Sequence, residues 1–327
     1  MTGVQTKEVK DEDDGMRLDR WFKTYFPDIG FGHLQKILRK GQVRVDGSRA
    51  KASTRLESGQ TIRIPPVMQS PVEPVERAPD WISHKDTEFV QSLVIHKDED
   101  VIAINKPAGL AVQGGTKTDK HLDGLLEGLK FERDDRPKLV HRLDKDTSGV
   151  LLLARHRKAA TALGKALSDH KARKIYWALV NGVPRYDAGE INRPLIKRGG
   201  MGDERIRVAE RDDPDAMKAI TEYELVETAG QKFAWLAMMP ITGRTHQLRV
   251  HSVALGHPIV GDGKYGGSDA HPGGEIPKQL HLHARSIEIP HPRKGVLKLQ
   301  AKMPGHMEKT WKLLNFPEEA GEIVFEK

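Results

Sequence analysis

Residues 141–154 read HRLDKDTSGVLLLA, a polar loop that runs directly into an uninterrupted apolar segment. The second half is short and aliphatic and follows Gly149, which is typical of a buried β-strand. The first half carries two carboxylates, two cations, a histidine and a Thr-Ser pair. Such polarity beside a core strand predicts a loop at one end of a sheet, where side chains that perform chemistry are commonly held.

Other apolar segments predict strands over residues 101–104, 175–180 and 234–238. Helices are predicted over residues 157–170 and 244–255. Several consecutive strands lack an intervening helix that is long enough for a parallel crossover. The order therefore favours an α+β fold with a mixed, mostly antiparallel sheet and flanking helices over a doubly wound α/β fold.

The chain has 327 residues, which exceeds the length of about 250–300 residues at which a single core usually stops growing. A proline-dense stretch predicts the boundary between two domains, because proline cannot donate a backbone hydrogen bond and favours extended chain. We expect a disordered acidic tail over residues 1–15, a small domain over 16–66, a proline-rich linker over 67–91, a larger domain over 92–318 and a C-terminal tail over 319–327.

The small domain is predicted to contain two helices and a hairpin. The first helix follows from apolar residues spaced i, i+3, i+4 and i+7 along one face, namely Leu18, Trp21, Phe22 and Tyr25. A second, basic helix over residues 34–40 ends at Gly41. The Asp46-Gly47 pair between two alternating segments predicts the hairpin turn.

The small domain is also strongly basic, and the chain carries a formal net charge of +7 in spite of its acidic start. Clustered cations supply sequence-independent affinity for the phosphates of nucleic acids. An ordinary solvated face is the alternative explanation, but the density of cations favours phosphate contact. The candidate phosphate-binding residues are Lys36, Arg39, Lys40, Arg44 and Arg55.

Composition excludes several classes of protein. The chain has no cysteine, so disulfides, thiol nucleophiles and thiolate-bound metals are excluded. No apolar run approaches the roughly 18 residues that a membrane-spanning helix needs, and the acidic first residues do not resemble a signal or transit peptide. We therefore expect a cytoplasmic protein with no membrane partner, whose chemistry comes from carboxylates, histidines, hydroxyls or bases.

Two further patterns suggest other functions. Residues 261–266 read GDGKYG and have the glycine spacing of a dinucleotide-binding loop, but the glycines and prolines that follow leave no helix to hold a pyrophosphate. Histidines are frequent from His246 onwards, yet no acid completes a metal-ligand set on a shared helical face. His281 and His283 would share one face of a strand, so a metal site at these two residues stays open.

The small domain resembles the RNA-binding module named after ribosomal small-subunit protein four. The resemblance rests on RLDRW (residues 17–21), QKILRKGQVRVDG (35–47) and GQTI (59–62), and it covers nearly all of residues 16–65. It implies binding to structured RNA, which agrees with the basic character of the domain.

The rest of the chain resembles the RluA-type pseudouridine synthases. HRLDKDTSG (residues 141–149) resembles the signature of that family, and three further segments match in order: NKPAGL (105–110), KIYWA (174–178) and TGRTHQLRVH (242–251). With the RNA-binding module in front of them, these segments look like those of the RluC-like subgroup, which modifies large-subunit ribosomal RNA.

The resemblance implies roles for five residues of the catalytic domain. Asp144 is the working carboxylate, which either attacks the ribose or removes a ribose proton. Tyr176 lies against the base and offers its hydroxyl for proton transfer at carbon 5, although a strand tyrosine that packs in the core is the structural alternative. Arg244 is the candidate cation that favours the charged form of Asp144. Arg142 is the wedge for base flipping, and Leu248, one helical turn after Arg244, lines the pocket.

Isomerisation of uridine involves no redox change and no net hydrolysis, so the resemblance implies neither a metal nor a cofactor. The expected partner is large-subunit ribosomal RNA, with ribosome assembly intermediates as a further possibility, and we expect a monomer. A non-catalytic RNA-binding or assembly protein is the alternative, which would not need Asp144, Tyr176 and Arg244 together. The segment Asp146-Thr147-Ser148 is expected to hold the shape of the loop.

Overall fold

The computed structural model describes residues 4–66, 82–114, 120–199, 205–210, 213–321, 323 and 325. The chain divides into two compact units, Met1–Pro79 and Asp80–Lys327. This division falls within the predicted linker, of which residues 67–81 lie outside the described residues.

The N-terminal unit combines two helices with a four-stranded antiparallel sheet. The helices are α1 (Leu18–Tyr25) and α2 (Phe31–Arg39). The strands, in the order β1-β4-β2-β3, are β1 (Gln5–Glu8), β2 (Arg44–Val45), β3 (Ser48–Arg49) and β4 (Thr61–Ile64). The apolar face predicted for α1 is buried in the core of this unit. Asp46 and Gly47 both adopt positive φ angles at the hairpin turn, as a type I′ turn requires.

Residues 5–13 contain a strand and a short 3-10 turn, where the sequence predicted a disordered acidic tail. Strand β1 pairs with β4, and Asp13 is buried. The Asp13 carboxylate accepts hydrogen bonds from Trp21 Nε1 at 3.2 Å and from the Tyr25 hydroxyl at 2.7 Å. The prediction of disorder was wrong here because it weighed the charge of the segment and not the donors on α1 that pair with it.

The larger unit is built on a ten-stranded mixed sheet in the order β10-β13-β14-β9-β15-β8-β6-β5, with β7 beside β8 and β16 beside β15. Its strands are β5 (Val94–Lys97), β6 (Val101–Lys106), β7 (Lys138–Leu139), β8 (Ser148–Ala154), β9 (Arg173–Asn181), β10 (Ala188–Asn192), β13 (Ile220–Ala229), β14 (Phe233–Pro240), β15 (Leu282–Pro290) and β16 (Val296–Gln300). A separate ribbon pairs β11 (Leu195–Arg198) with β12 (Arg205–Val208). Among the described strands, β8 and β15 form the one parallel pair, which confirms the predicted α+β class.

Five helices accompany this sheet: α3 (His84–Ser92), α4 (Leu122–Leu125), α5 (Arg157–Ser168), α6 (Gln247–Ala254) and α7 (Gly305–Leu314). Helix α3 occupies the end of the predicted linker, so the ordered unit begins before residue 92. At the other end, Arg285 pairs with Glu319, so the predicted C-terminal tail begins later than residue 319. None of the helices in the described part of the chain has the length and apolar character to cross a membrane.

Helix α6 starts later than the sequence predicted, at Gln247 and not at residue 244. The Gln247 side-chain oxygen accepts hydrogen bonds from the Thr242 hydroxyl and from the Arg244 backbone N–H, and His246 has a left-handed φ of 53°. These contacts make residues 242–246 a turn. Leu248 is therefore not one helical turn from Arg244.

Strand β15 lies between β8 and β9 and brings them together. Gly149 is opposite Ala284, and Ala284 is opposite Tyr176. A Cβ on Gly149 would lie 2.2 Å from the Ala284 carbonyl oxygen, and the φ of Gly149 is +114°. Only glycine tolerates both conditions. The loop that precedes β8 therefore lies close to Tyr176 on β9, with the single strand β15 between them.

Replacing Gly149 by alanine is expected to destabilise the larger unit, because the strained φ alone costs about 1–3 kcal/mol and the clash with a backbone oxygen adds to it. Gly164→Ala in α5 is the matched control, since its Cβ would meet no atom within 4 Å and alanine is favoured over glycine in a helix by about 1 kcal/mol. The midpoint of chemical denaturation should be lower than that of the parent protein for Gly149→Ala and higher for Gly164→Ala. An unchanged midpoint for Gly149→Ala would contradict the close approach.

Candidate active site

The five catalytic-domain residues singled out from the sequence all line one cavity of about 870 Å³. Arg142 and Asp144 reach it from the loop before β8, Tyr176 from β9, and Arg244 and Leu248 from the segment after β14. Small-molecule sites typically measure about 300–1,000 Å³, so this cavity is at the large end of the range.

The loop that carries Asp144 is held from below by Lys106, a fully buried lysine. Its ammonium donates to the carbonyl oxygens of Pro107, Leu110 and Lys145 at 2.8–2.9 Å. Burial lowers the pKa of Lys106 to about 8, although the charges of Asp146 and Asp144 oppose that shift. Three acceptors satisfy all three donors of the ammonium, so Lys106 ties the loop over residues 105–110 to the catalytic loop.

The end of the same loop is braced by a buried histidine on β15. The Ser148 hydroxyl lies 2.9 Å from His283 Nδ1, and His283 Nε2 lies 3.2 Å from the Ala301 carbonyl oxygen. Because a carbonyl only accepts, Nε2 carries the proton and Nδ1 accepts from Ser148. Burial lowers the pKa of His283 to about 4, so the imidazole is neutral. Ser148 thus holds the shape of the loop by bonding a side chain and not a nearby backbone amide.

Asp144 faces a chain of polar groups on the opposite wall. Its Oδ1 lies 3.8 Å from His246 Nε2, and His246 Nδ1 lies 2.6 Å from the Tyr265 hydroxyl. The Tyr265 oxygen accepts from the Ile206 backbone N–H at 3.4 Å, so its own proton is free to be donated to Nδ1. Burial lowers the pKa of His246, against the attraction of Asp144. A neutral His246 then presents Nε2–H towards the carboxylate.

Tyr176 contributes an aromatic ring and a neutral hydroxyl. Its ring packs between two clusters of core side chains. Burial raises the pKa of Tyr176 well above its usual range, and the nearby negative charge of Asp144 adds to the rise. The phenol therefore stays protonated at neutral pH and can donate a hydrogen bond to a bound base.

Arg249, on α6, lines the cavity together with Asp144, and the charges of the two side chains attract each other. Arg249 Nε and Nη2 donate to the two carboxylate oxygens of Asp262 at 2.8 and 2.6 Å, and the side chains of this pair are 7% and 1% exposed. Burial alone would lower the pKa of Arg249, but hydrogen bonding to Asp262 and the charges of Asp262 and Asp144 raise it. Arg249 is thus a permanently charged group that Asp262 holds in a fixed orientation.

Arg244, the partner suggested by the resemblance, is placed differently. Its Nε donates to the Lys218 carbonyl oxygen at 3.0 Å, and in the described part of the chain it forms no ion pair with Asp144. Arg142 is exposed at the cavity, where its nearest polar partner is Gln113 at 3.4 Å. Leu248 lines the cavity through its own position on α6.

Sequence reasoning missed His246, Arg249, Asp262 and Tyr265, although two signals were present. Arg249 lies between Leu248 and Val250, and a charge flanked by apolar helical residues needs a buried partner. The segment GDGKYG, whose glycine spacing suggested a dinucleotide site, supplies that partner and the tyrosine. It is followed by a four-residue 3-10 turn (Gly267–Ala270) in place of a helix, which leaves no helix N-terminus for a dinucleotide.

The two histidines considered as metal ligands are occupied by protein groups. His281 bonds the Gln279 carbonyl and the Thr310 hydroxyl, both at 2.8 Å, and His283 is bonded at both ring nitrogens. Each imidazole therefore has a structural role in the core of the larger unit.

A second cluster of titratable groups lies at the turn between β5 and β6. Ligand atoms of Asp98, Asp100 and His291 lie within 4.8 Å of one another. Burial acts to raise the pKa of Asp98, but hydrogen bonds from His96, backbone amides and His291 lower it to about 2. Arg293 Nε binds Asp100 at 2.6 Å. Protein donors therefore already serve both carboxylates, and the cluster joins this turn to the turn between β15 and β16.

The candidate phosphate-binding residues of the N-terminal unit are all exposed, four of them along α2 and the following hairpin and Arg55 in the segment after the hairpin. Arg44 and Arg55 each donate to a backbone carbonyl, of Gly47 and Gly15 respectively. In the described part of the chain none of the five is paired with a carboxylate. These residues are Lys36, Arg39, Lys40, Arg44 and Arg55.

Comparison with known proteins and families finds relatives that match most of this chain. The family model described as RNA pseudouridylate synthase matches residues 100–254, which include Asp144, Tyr176 and Arg249. The ribosomal large subunit pseudouridine synthase C of Vibrio vulnificus (strain CMCP6) is 34% identical over 94% of this chain and 96% of its own length. The protein of the same name from Rickettsia typhi (strain ATCC VR-144 / Wilmington) is 35% identical over 88% of this chain and 94% of its own.

A solved structure with the same fold is that of human RNA pseudouridylate synthase domain containing 4. It is 27% identical, has a TM-score of 0.58 and covers 71% of this chain and 97% of that chain. With relatives that match almost the whole of its length, this chain belongs to the RluA family of pseudouridine synthases and is an RNA-isomerising enzyme.

Proposed function

We propose that this enzyme isomerises uridines in large-subunit ribosomal RNA, with Asp144 as the reacting carboxylate, Tyr176 at the base and Arg249 as the cation beside Asp144. The substrate is supported by relatives named for the large ribosomal subunit that match 88–94% of the chain. The residue roles are supported by one observation above all, the convergence of these three side chains in a single cavity.

The reaction needs a carboxylate that is held in place and a base that is free to turn. The bond from ribose carbon 1′ to base nitrogen 1 breaks, and a bond from carbon 1′ to base carbon 5 forms. Carbon 5 loses its proton and nitrogen 1 gains one, so atoms and charge balance. Attack on the ribose and removal of a ribose proton both use the carboxylate of Asp144, whose Oδ1 lies 3.8 Å from His246 Nε2.

The uridine has to leave the RNA stack before Asp144 can reach its ribose. Arg142 is exposed two residues before Asp144 and has only a long contact with Gln113. It is therefore free to enter the space that the flipped base leaves. Tyr176 provides the aromatic surface against which the flipped base lies.

The N-terminal unit supplies phosphate contacts to the same RNA. Its candidate cations are exposed and lack carboxylate partners in the described residues, so their charge is available to RNA. Such contacts position the substrate without reading its sequence.

Asp144→Asn is expected to abolish conversion and to leave RNA affinity within about threefold, because the amide keeps the shape and loses the reacting group. Tritium release from RNA labelled at uracil carbon 5 measures conversion. Asp146→Asn is the matched control, since it removes an exposed carboxylate from the same loop. Appreciable turnover by Asp144→Asn, or an equal loss in the control, would reject the assignment.

The roles of Arg244 and Arg249 can be separated by variants that leave no buried charge without its partner. Arg249→Gln combined with Asp262→Asn removes the ion pair as a unit and should lower kcat about 10²-fold or more, the usual cost of losing a group that stabilises reacting charge. Arg244→Gln should change kcat by less than about threefold. Single-turnover rates with saturating enzyme test both. An equal loss in Arg244→Gln would restore the role that the sequence suggested for Arg244.

Replacing Lys36, Arg39 and Lys40 together by glutamine is expected to weaken RNA binding and to lower the slope of log affinity against log salt by about 0.7–0.9 for each phosphate that is no longer neutralised. A control variant replaces Lys302, Lys309 and Lys312, three exposed lysines of the larger unit, by glutamine. Equal slopes for the two triple variants would show that α2 does not contact the RNA.

A further inference from the structure

Lys174 lies in the cavity without a role in the proposed chemistry. It is on β9, two residues before Tyr176, and both side chains line the cavity. Residues two apart on a strand share a face and are separated by about 7 Å. Lys174 therefore lies close to the place of the base and apart from Asp144.

The ammonium of Lys174 has no hydrogen-bond or ion-pair partner among the described residues. Its neighbour His141 accepts a hydrogen bond from the Leu152 backbone N–H at Nε2. The pKa of His141 is lowered to about 3, chiefly by burial and further by the charge of Lys174. A neutral imidazole cannot balance the lysine.

The end of α5, which also lines the cavity, does not supply a partner either. Its last carbonyl groups already accept hydrogen bonds from the chain that follows, in the pairs Asp169 to Lys165, His170 to Leu167 and Lys171 to Ala166. No orphan carbonyl among these three is left for the ammonium.

Burying a charge without a partner is unfavourable, and burial lowers the pKa of Lys174 with no carboxylate to oppose it. Lys174 is half-buried, and buried cations of the larger unit contrast with it because they are paired. Lys106 has three carbonyl acceptors, Arg249 has Asp262 and Arg155 has Glu132. A residue kept at such a cost in a ligand cavity points to an anion that arrives with the ligand.

The charges around the cavity indicate which anion this is. Arg142, Lys145, Arg244 and Arg249 line it together with Lys174, and Asp144 is the one carboxylate in its described lining. Such a surface attracts a polyanion. A nucleotide whose base lies against Tyr176 would bring a phosphodiester group within reach of a lysine two residues away on the same face of the strand.

We propose that Lys174 binds a backbone phosphate of the RNA strand beside the reacting uridine, in a subsite between β9 and the end of α5. Lys174 is then a positioning residue that fixes the nucleotide backbone while Arg142 fills the vacated stack. The inference rests on the proposed function, because it takes the ligand of the cavity to be RNA.

The test compares Lys174→Met and Lys174→Arg, each in the Asp144→Asn enzyme, which binds RNA without converting it. The probe is an unmodified large-subunit ribosomal RNA transcript. Lys174→Met should weaken binding about tenfold and lower the salt slope by about 0.7–0.9, which corresponds to one phosphate. Lys174→Arg should keep both values close to those of the parent. Lys309→Met, on α7, a helix that packs against Trp177, is the control and should change neither.

The melting temperature distinguishes a phosphate-binding lysine from a structural one, because removing a structural lysine would lower it. Because Lys174→Met removes an unpaired, partly buried charge, its melting temperature in the absence of RNA should be equal to or above that of the parent. A lower melting temperature for both Lys174→Met and Lys174→Gln would assign the lysine to the fold and overturn the phosphate subsite. An unchanged affinity and salt slope would overturn it as well.

Failure of the proposed function is recognised separately. The enzyme with Asp144 and Lys174 intact is incubated with the same transcript, and pseudouridine is mapped in the product. Absence of pseudouridine would contradict the ribosomal substrate. Pseudouridine formation together with an unaltered salt slope in Lys174→Met would contradict the phosphate subsite alone.

Discussion

The close approach of Gly149 to Ala284 is the constraint on which the catalytic cavity depends. It lets β15 pair with β8 on one side and β9 on the other, so that the loop bearing Asp144 lies beside Tyr176. A side chain at position 149 would separate the strands. One residue before Gly149, the Ser148 hydroxyl bonds the neutral, buried imidazole of His283. The loop that carries Asp144 is therefore positioned by the backbone of the sheet and by this histidine.

The cations around the cavity fall into two physical classes. Lys106 and Arg249 are fully paired within the protein, so they hold loops and fixed charge in place and need no ligand. Among the described residues, the Lys174 ammonium has no hydrogen-bond partner, and the Arg142 guanidinium has one long hydrogen bond, to Gln113. Paired groups fix the shape of the cavity before RNA binds. Unpaired groups can form their first strong interactions with the substrate, so their interaction energy contributes to binding.

The N-terminal unit separates its core from its binding surface in another way. Its core combines aliphatic side chains with four aromatic residues of the first helix and the residue after it. The buried carboxylate of Asp13 accepts hydrogen bonds from Trp21 and Tyr25, which removes one acid from the surface. The cations of α2 and the hairpin stay exposed. The surface charge of this unit therefore comes from side chains that take no part in its core.

The sequence by itself determined the α+β class, the strand after Gly149 and the family resemblance, because these follow from local apolar patterns and contiguous motifs. It also pointed to Asp144 and Tyr176 as candidate residues. The difference between Arg249, which is held in a buried ion pair, and Arg244, which bonds a backbone carbonyl, was decided only by the tertiary structure. It depends on where α6 begins and on Asp262, thirteen residues beyond Arg249. The tertiary structure also decided that residues 5–13 are ordered and that Lys174 has no partner among the described residues. Both depend on burial and on partner atoms from segments that are distant along the chain.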